Sequence, residues 1–197
     1  LIIIISIGYS NIKFIPHPMN VGEKGILSIH ATDINGDGNT DLLYSSIESN
    51  SITWLENRGN GNFISHNISS NINGSISIFP IDLNGDNNMD ILFTSMYDNS
   101  INWYKNNGDG NFSRHSIYNN ANGPWDIHAS DVDEDGDIDV VSINDYDNTI
   151  VWYSNNGNQI FKPYIIASDT NSVWTLHTRD VDKDGDIDVI TGTEGNN

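Results

Sequence analysis

The sequence predicts an all-β fold made of repeated four-stranded antiparallel sheets. Three observations carry that expectation. A repeat of 49 residues runs through the 197-residue chain without an insertion, each copy holds four short β-branched or aromatic runs, and no segment sustains a helical period.

The repeat is read most easily from its acidic loops. Asp33-Ile-Asn-Gly-Asp-Gly-Asn-Thr-Asp41 recurs as Asp82-Leu-Asn-Gly-Asp-Asn-Asn-Met-Asp90, then as Asp131-Val-Asp-Glu-Asp-Gly-Asp-Ile-Asp139 and Asp180-Val-Asp-Lys-Asp-Gly-Asp-Ile-Asp188. Trp54, Trp103 and Trp152 keep the same step, as do Phe14, Phe63, Phe112 and Phe161. His17, His66 and His115 follow it, with Tyr164 in the fourth copy.

Within one copy the elements follow in order. A first strand precedes the loop (Leu27 to Thr32, Trp125 to Ser130), and an apolar second strand follows it (Leu42 to Ser45, Ile91 to Thr94, Val140 to Ile143, Val189 to Thr191). A turn at Asp98-Asn99 or Asp147-Asn148 leads to a third strand that carries the Trp: Ile52 to Leu55, Ile101 to Tyr104, Ile150 to Tyr153. A Gly/Asn turn such as 106–111 supplies positive φ and opens a fourth strand, Phe112 to Tyr118. Four strands per repeat of this length fit the blade of a β-propeller. A β-sandwich is the alternative, but it does not demand a sequence repeat.

The register also reads the N-terminus. Residues 2–6 align with 51–55, so Ile2 to Ile7 is expected to be a third strand rather than the remnant of a signal peptide. The whole span 1–197 reads as one repeat region holding about four blades' worth of chain. It is expected to be part of a longer propeller, with a closed four-bladed ring as the alternative.

Charge narrows the partners. Eight Lys and Arg stand against 27 Asp and Glu, a formal net charge of −19. Nucleic acid and anionic membranes need a basic face, so neither is an expected partner, and no run is long enough to insert in a bilayer. Cysteine is absent, which excludes disulfides and thiolate metal sites.

Seventeen of the 27 acids lie in the four loops, as three, three, six and five. Carboxylates so crowded repel one another unless a cation neutralises them. A hard dication wants six or more oxygens at about 2.3–2.6 Å, and side chains at loop positions 1, 3, 5 and 9 with the carbonyl of position 7 supply them. The candidate Ca²⁺ ligands are therefore Asp33, Asn35, Asp37, Asn39 and Asp41 in loop 33–41, and Asp82, Asn84, Asp86, Asn88 and Asp90 in loop 82–90. Loop 131–139 offers Asp131, Asp133, Asp135, Asp137 and Asp139, and loop 180–188 offers Asp180, Asp182, Asp184, Asp186 and Asp188. Gly at position 6 permits the sharp turn, and Asn87 replaces it in the second loop, which is expected to bind most weakly. An EF-hand shares this opening but needs a Glu at position 12, where Tyr44, Phe93, Ser142 and Thr191 stand.

These loops, the Trp-Tyr strand and the Gly-Asn-Phe turn resemble FG-GAP/VCBS-type repeats, the propeller repeats related to those of integrin α chains. The resemblance covers nearly the whole chain, and the third and fourth loops match best. The literal Phe-Gly and Gly-Ala-Pro motifs are absent. The resemblance implies a seven- or eight-bladed ring, Ca²⁺ in the loop between first and second strands, and an extracellular or cell-surface setting.

Other residues invite a sharper reading. Trp54, Trp103 and Trp152 could be sugar platforms, but bulky aromatics between blades more often fill space. Trp125 and Trp174 occur in two copies only and are the better ligand-facing candidates. His30, His128 and His177, with Phe79 in the odd copy, sit three residues before a loop Asp and are expected to face a central channel as hydrogen-bonded residues rather than zinc ligands. No nucleophile elbow, zinc-protease helix or phosphate loop is present, so no catalytic residue is assigned. The expected function is a non-catalytic, Ca²⁺-binding module for adhesion to, or binding of, an extracellular protein or glycan. The alternative is the propeller domain of a secreted polysaccharide-active enzyme.

Overall fold

A computed structural model describes residues 2–7, 14–170 and 172–193, with side chains from Pro18 onward. Strands β1 (Ile2–Ile7) and β2 (Phe14–Met19) form an antiparallel pair. Three four-stranded meanders follow, each in chain order. The first holds β3 (Ile26–Thr32), β4 (Asp41–Ser46), β5 (Ser51–Asn57) and β6 (Phe63–Ser69). The second holds β7 (Ser75–Ile81), β8 (Asp90–Ser95), β9 (Ser100–Asn106) and β10 (Phe112–Tyr118). The third holds β11 (Pro124–Ser130), β12 (Asp139–Asn144), β13 (Thr149–Asn155) and β14 (Phe161–Ala167). A last pair, β15 (Val173–Arg179) and β16 (Asp188–Thr193), forms a two-stranded antiparallel sheet.

The propeller-blade reading stands: the repeat generates the same sheet each time. The expected N-terminal strand is β1. Where the sequence suggested only turns between strands, Met96–Asp98 forms one 3-10 turn, closed by Asn99 at φ 51°. The four-bladed closure is not found, because β1–β2 and β15–β16 remain separate two-stranded sheets.

Each sheet buries its middle strands from both faces, so β4, β8 and β12 are buried along their whole length. The cores lie between successive sheets. Leu43, Ile52, Trp54, Ile78, Ile91 and Phe93 fill the space between the first and second sheets. Leu92, Trp103, Ile127, Val140 and Tyr153 fill the next. Burial of one such side chain stabilises by about 1.5–3 kcal/mol, so stacking of blades is the main source of stability.

The first strands run side by side, β3 by β7, β7 by β11 and β11 by β15, and make one inner wall. Hydrogen bonds staple this wall. Ser28 exchanges bonds with the backbone of Ile78, Ser77 Oγ donates to Asp126 Oδ1 at 2.7 Å, and Asp126 Oδ2 accepts the Leu176 N–H at 2.9 Å. The pairing register slips near the start of every first strand, at 26/28, 75/78, 124/126 and 173/175. Such bulges re-aim side chains.

Candidate metal centre

All four acidic loops join a first strand to a second at the same end of their sheets, as the repeat predicts. Their backbones share two left-handed residues, at positions 4 and 6. These are Gly36 and Gly38, Gly85 and Asn87, Glu134 and Gly136, and Lys183 and Gly185, with φ between 58° and 108°. Asn87 therefore adopts the turn at φ 66° without a glycine, as Asn does more readily than other side chains. Position 4 was not singled out in the sequence, and there Glu134 and Lys183 hold a conformation costly for a residue with a Cβ.

Position 9 anchors each loop. Asp41, Asp90 and Asp139 are fully buried. One oxygen accepts the N–H of loop position 2, at 3.1 Å from Ile34, 3.2 Å from Leu83, 3.1 Å from Val132 and 3.0 Å from Val181 to Asp188. The other accepts the N–H of Asn57, Asn106 or Asn155 at 2.7, 2.8 and 2.7 Å. The Trp54 indole adds a bond to Asp41 at 2.9 Å. Trp152, its third-repeat equivalent, lies beside Asp139 and helps hold down that carboxyl's pKa, but its Nε1 lacks a partner in hydrogen-bond geometry. Burial raises the Asp139 carboxyl above its ordinary value. Burial pushes Asp90 up to about 7, against the N–H groups of Asn106 and Leu83 that favour its charge.

Asn57, Asn106 and Asn155 complete a clamp that sequence reasoning missed. Their Nδ2 groups donate to the carbonyls of Thr40, Met89 and Ile138, and their Oδ1 atoms accept the N–H of Gly59, Gly108 and Gly157. Asn106 also donates to Ile34 O at 2.9 Å, tying the first loop to the second sheet. The signal was present as Trp-x-x-Asn at the repeat spacing.

The loops differ in what their first carboxylate does. Asp33 accepts the N–H groups of Gly36, Asp37 and Gly38, and Asp82 those of Gly85, Asp86 and Asn87. Asp131 accepts only Gly136 N–H, at 3.0 Å, and its buried Oδ1 has no hydrogen-bond donor. Asp180 accepts one, from Lys183 at 2.7 Å. In the third and fourth loops, carboxylate oxygens of positions 1, 3 and 9 converge within 4.8 Å of one another: Asp131, Asp133 and Asp139, then Asp180, Asp182 and Asp188. Position 5 instead caps the N–H of position 7, from Asp37 to Asn39, Asp86 to Asn88, Asp135 to Asp137 and Asp184 to Asp186. Asn35 and Asn84 at position 3 bring an amide in place of a charge. Asn35 donates to Glu56, and Asn84 to Asp90.

The residue two beyond the Trp sets the surroundings. Glu56 is buried beside the first loop, paired with Arg58 at 3.1 Å and His66 at 2.8 Å. Lys105 reaches the second loop, its Nζ 3.0 Å from Asp86 Oδ2. Burial alone would raise the Asp86 carboxyl, but Lys105 and the Asn88 N–H outweigh it and hold the pKa low. Ser154 holds this place at the third loop and carries no charge.

The repeated Trp residues are packing elements. Trp54 and Trp103 are buried and stack on His66 and His115, and Trp152 stacks on Tyr164. The side chain of His17 lies outside the described residues. His30, His128 and His177 do line the inner wall with Phe79. The His128 ring stands 4.3 Å from His177 and 4.1 Å from Phe79, and its Nδ1 bonds Thr178 Oγ1 at 2.7 Å. Burial and the neighbouring His177 push His128 down to about 4, so it is neutral at pH 7. Among the described residues, the acid and histidine groups that converge as a metal site would require are those of the third and fourth loops.

Comparison with known proteins agrees with this architecture. The family model described as FG-GAP-like repeat matches residues 33–93, 89–142 and 131–191. No curated protein matches the sequence. Among solved structures, a lectin of Agrocybe aegerita that recognises non-reducing terminal N-acetylglucosamine is similar at a TM-score of 0.58 and 19% identity, over 83% of this chain and 46% of its own. Virginiamycin B lyase of Staphylococcus aureus is similar at 0.56 and 16% identity, over 88% of this chain and 52% of its own. At such identities the likeness is one of fold, and the chain spans about half the length of either protein. No helix among the described residues is long and apolar enough to cross a membrane.

Proposed function

This chain belongs to the FG-GAP-like repeat family, and from that premise we propose that it is a calcium-binding, non-catalytic propeller module that recognises a protein or glycan outside the cell or at its surface. The single observation that carries the metal is the third loop, where three carboxylates converge around a buried Asp131 Oδ1 that no donor satisfies. A buried, unpaired carboxylate oxygen costs several kcal/mol unless a cation meets it. Aspartates are oxygen donors suited to a hard dication. Asp131, Asp133 and Asp139 would hold Ca²⁺ in the third loop with Asp135 and the carbonyl of Asp137. Asp180, Asp182, Asp188, Asp184 and Asp186 would do so in the fourth. In the first and second loops the ligands are Asp33, Asn35, Asp37, Asn39 and Asp41, and Asp82, Asn84, Asp86, Asn88 and Asp90. There Ca²⁺ must first release N–H bonds from Asp33 or Asp82.

Calcium in this setting cross-links a loop to the buried end of a second strand and neutralises the acid cluster. The binding reading draws support from the family, and from a propeller relative of similar fold whose own ligand is a sugar. Calorimetric titration of the metal-free chain with Ca²⁺, and melting curves with and without chelator, test it. Ca²⁺ should raise the melting temperature in proportion to the logarithm of its concentration. Identical curves in both conditions would refute the metal assignment. A glycan and matrix-protein array probed with the Ca²⁺-loaded chain tests the ligand class.

A further inference from the structure

The bulges of the inner wall leave residue 27, 125 or 174 out of the strand pairing, and both 76 and 77 in the second repeat. In two repeats that residue is Trp. The rings of Trp125 and Trp174 stand edge to face, 5.2 Å apart at 81°, and Trp174 is 47% exposed. They wall a cleft of about 250 Å³ together with Leu27, Ser77 and Asp126. Asp126 lines it and also borders the neighbouring cleft of His30, His128 and His177.

Asp126 differs from its repeat equivalents Ser28, Ser77 and Thr175 in carrying a charge. It is half-buried, and its oxygens accept from Ser77, Ile127 and Leu176. Those neutral donors position the carboxylate without balancing it. A carboxylate has about four acceptor sites, so one direction stays available. The ion pairs among the described residues involve other acids, Glu56 and Asp86. His30 and His128, the histidines that feel the Asp126 charge, are both pushed down by burial, His128 to about 4, so His128 is neutral at pH 7.

We propose that this cleft binds an alkylammonium group, with the two indoles as walls and Asp126 as counter-ion. Indole faces attract cations through their quadrupole, and a half-buried carboxylate favours the same ligand. The net charge of −19 adds long-range attraction for cations. A neutral sugar could stack on the same rings but would leave the carboxylate uncompensated. The assignment deepens the binding reading above and rests on it, by naming the chemistry one subsite takes.

The test uses the Ca²⁺-saturated chain. Tryptophan fluorescence and calorimetry follow titration with choline, with N-acetyl-lysine amide, with the uncharged choline isostere 3,3-dimethylbutanol, and with N-acetylglucosamine. The cations should bind, and the isostere at least about tenfold more weakly. The tighter of the two cations tells whether the head group comes from a small molecule or a protein side chain. Trp174→Ala and Asp126→Asn should each weaken the cation about tenfold and leave Ca²⁺ titration unchanged. Trp174 is an exposed residue, so its variant keeps the test valid if Asp126→Asn does not fold. Cation affinity unaltered in Trp174→Ala, isostere or sugar binding as tight as choline, or no cation binding at all would overturn the proposal. Each of those results leaves the calcium response in place, so the cleft can fail while the module reading stands.

Discussion

The second and third acidic loops follow one backbone path and differ in what surrounds their carboxylates. In the second, Asp82 is bound by three backbone N–H groups and Asp86 by Lys105. In the third, Asp131 keeps a free buried oxygen, Asp133 joins it, and Ser154 stands where the lysine was. One loop meets its carboxylates with donors and a lysine from within the protein, whereas the other leaves a buried carboxylate oxygen without a donor. A repeat thus preserves the backbone of a loop while residues within it and beside it change the surroundings of its carboxylates.

Asp139→Ala leaves the buried N–H groups of Val132 and Asn155 without acceptors, and should cost about 3 kcal/mol in metal-free protein. Asp133→Ala, on the exposed side of the same loop, should change metal-free stability by less than about 0.5 kcal/mol yet remove the third loop's share of the calcium gain. Denaturant unfolding with and without Ca²⁺ separates the two. Equal losses in both variants without metal would show that position 9 is not the anchor.

A second prediction sharpens the contrast between loops. Lys105→Ser gives the second loop the neighbour of the third. A unit charge about 5 Å from a dication in a solvated site is worth about 1–2 kcal/mol, so Ca²⁺ affinity of the second loop should rise about tenfold. Calorimetry in a background where Asp33→Ala, Asp131→Ala and Asp180→Ala silence the other three loops reads it directly. Unchanged affinity would place the weakness of that loop in its Asn84 and Asn87 instead.

The smallest effect concerns the backbone. Glu134 at φ 58° occupies the place that Gly36 and Gly85 hold in the first two loops. Glu134→Gly should stabilise the metal-free protein by up to about 1 kcal/mol, with part of the gain lost to the greater freedom of the unfolded chain. A loss of stability on this substitution would mean that the side chain, and not the turn, is what the third loop needs.

Much of this was legible in the chain before its structure. The repeat located every strand, the loops and the inner position of the histidines, because strand pairing follows the alternation and turn residues that recur with it. The Trp-x-x-Asn clamp recurred as plainly, but its role was hidden, since Asn57 meets Asp41 only after two strands pair. Likewise Trp125 and Trp174 stood out as aromatics present in two copies only, while their right-angled contact depends on β11 lying beside β15.

By itself, then, the sequence determined the blade, its period, its acidic loops and the oxygen chemistry they offer, because these are local matters of residue type and spacing. Tertiary structure alone decided which loops leave a carboxylate unsatisfied, where Lys105 places its charge, and that Asp126 lines one cleft with two indoles and has no ion-pair partner among the described residues. Each of those depends on groups from different strands or sheets arriving within a few ångströms of one another, and a carboxylate's energy is set by that surrounding rather than by its place in the chain.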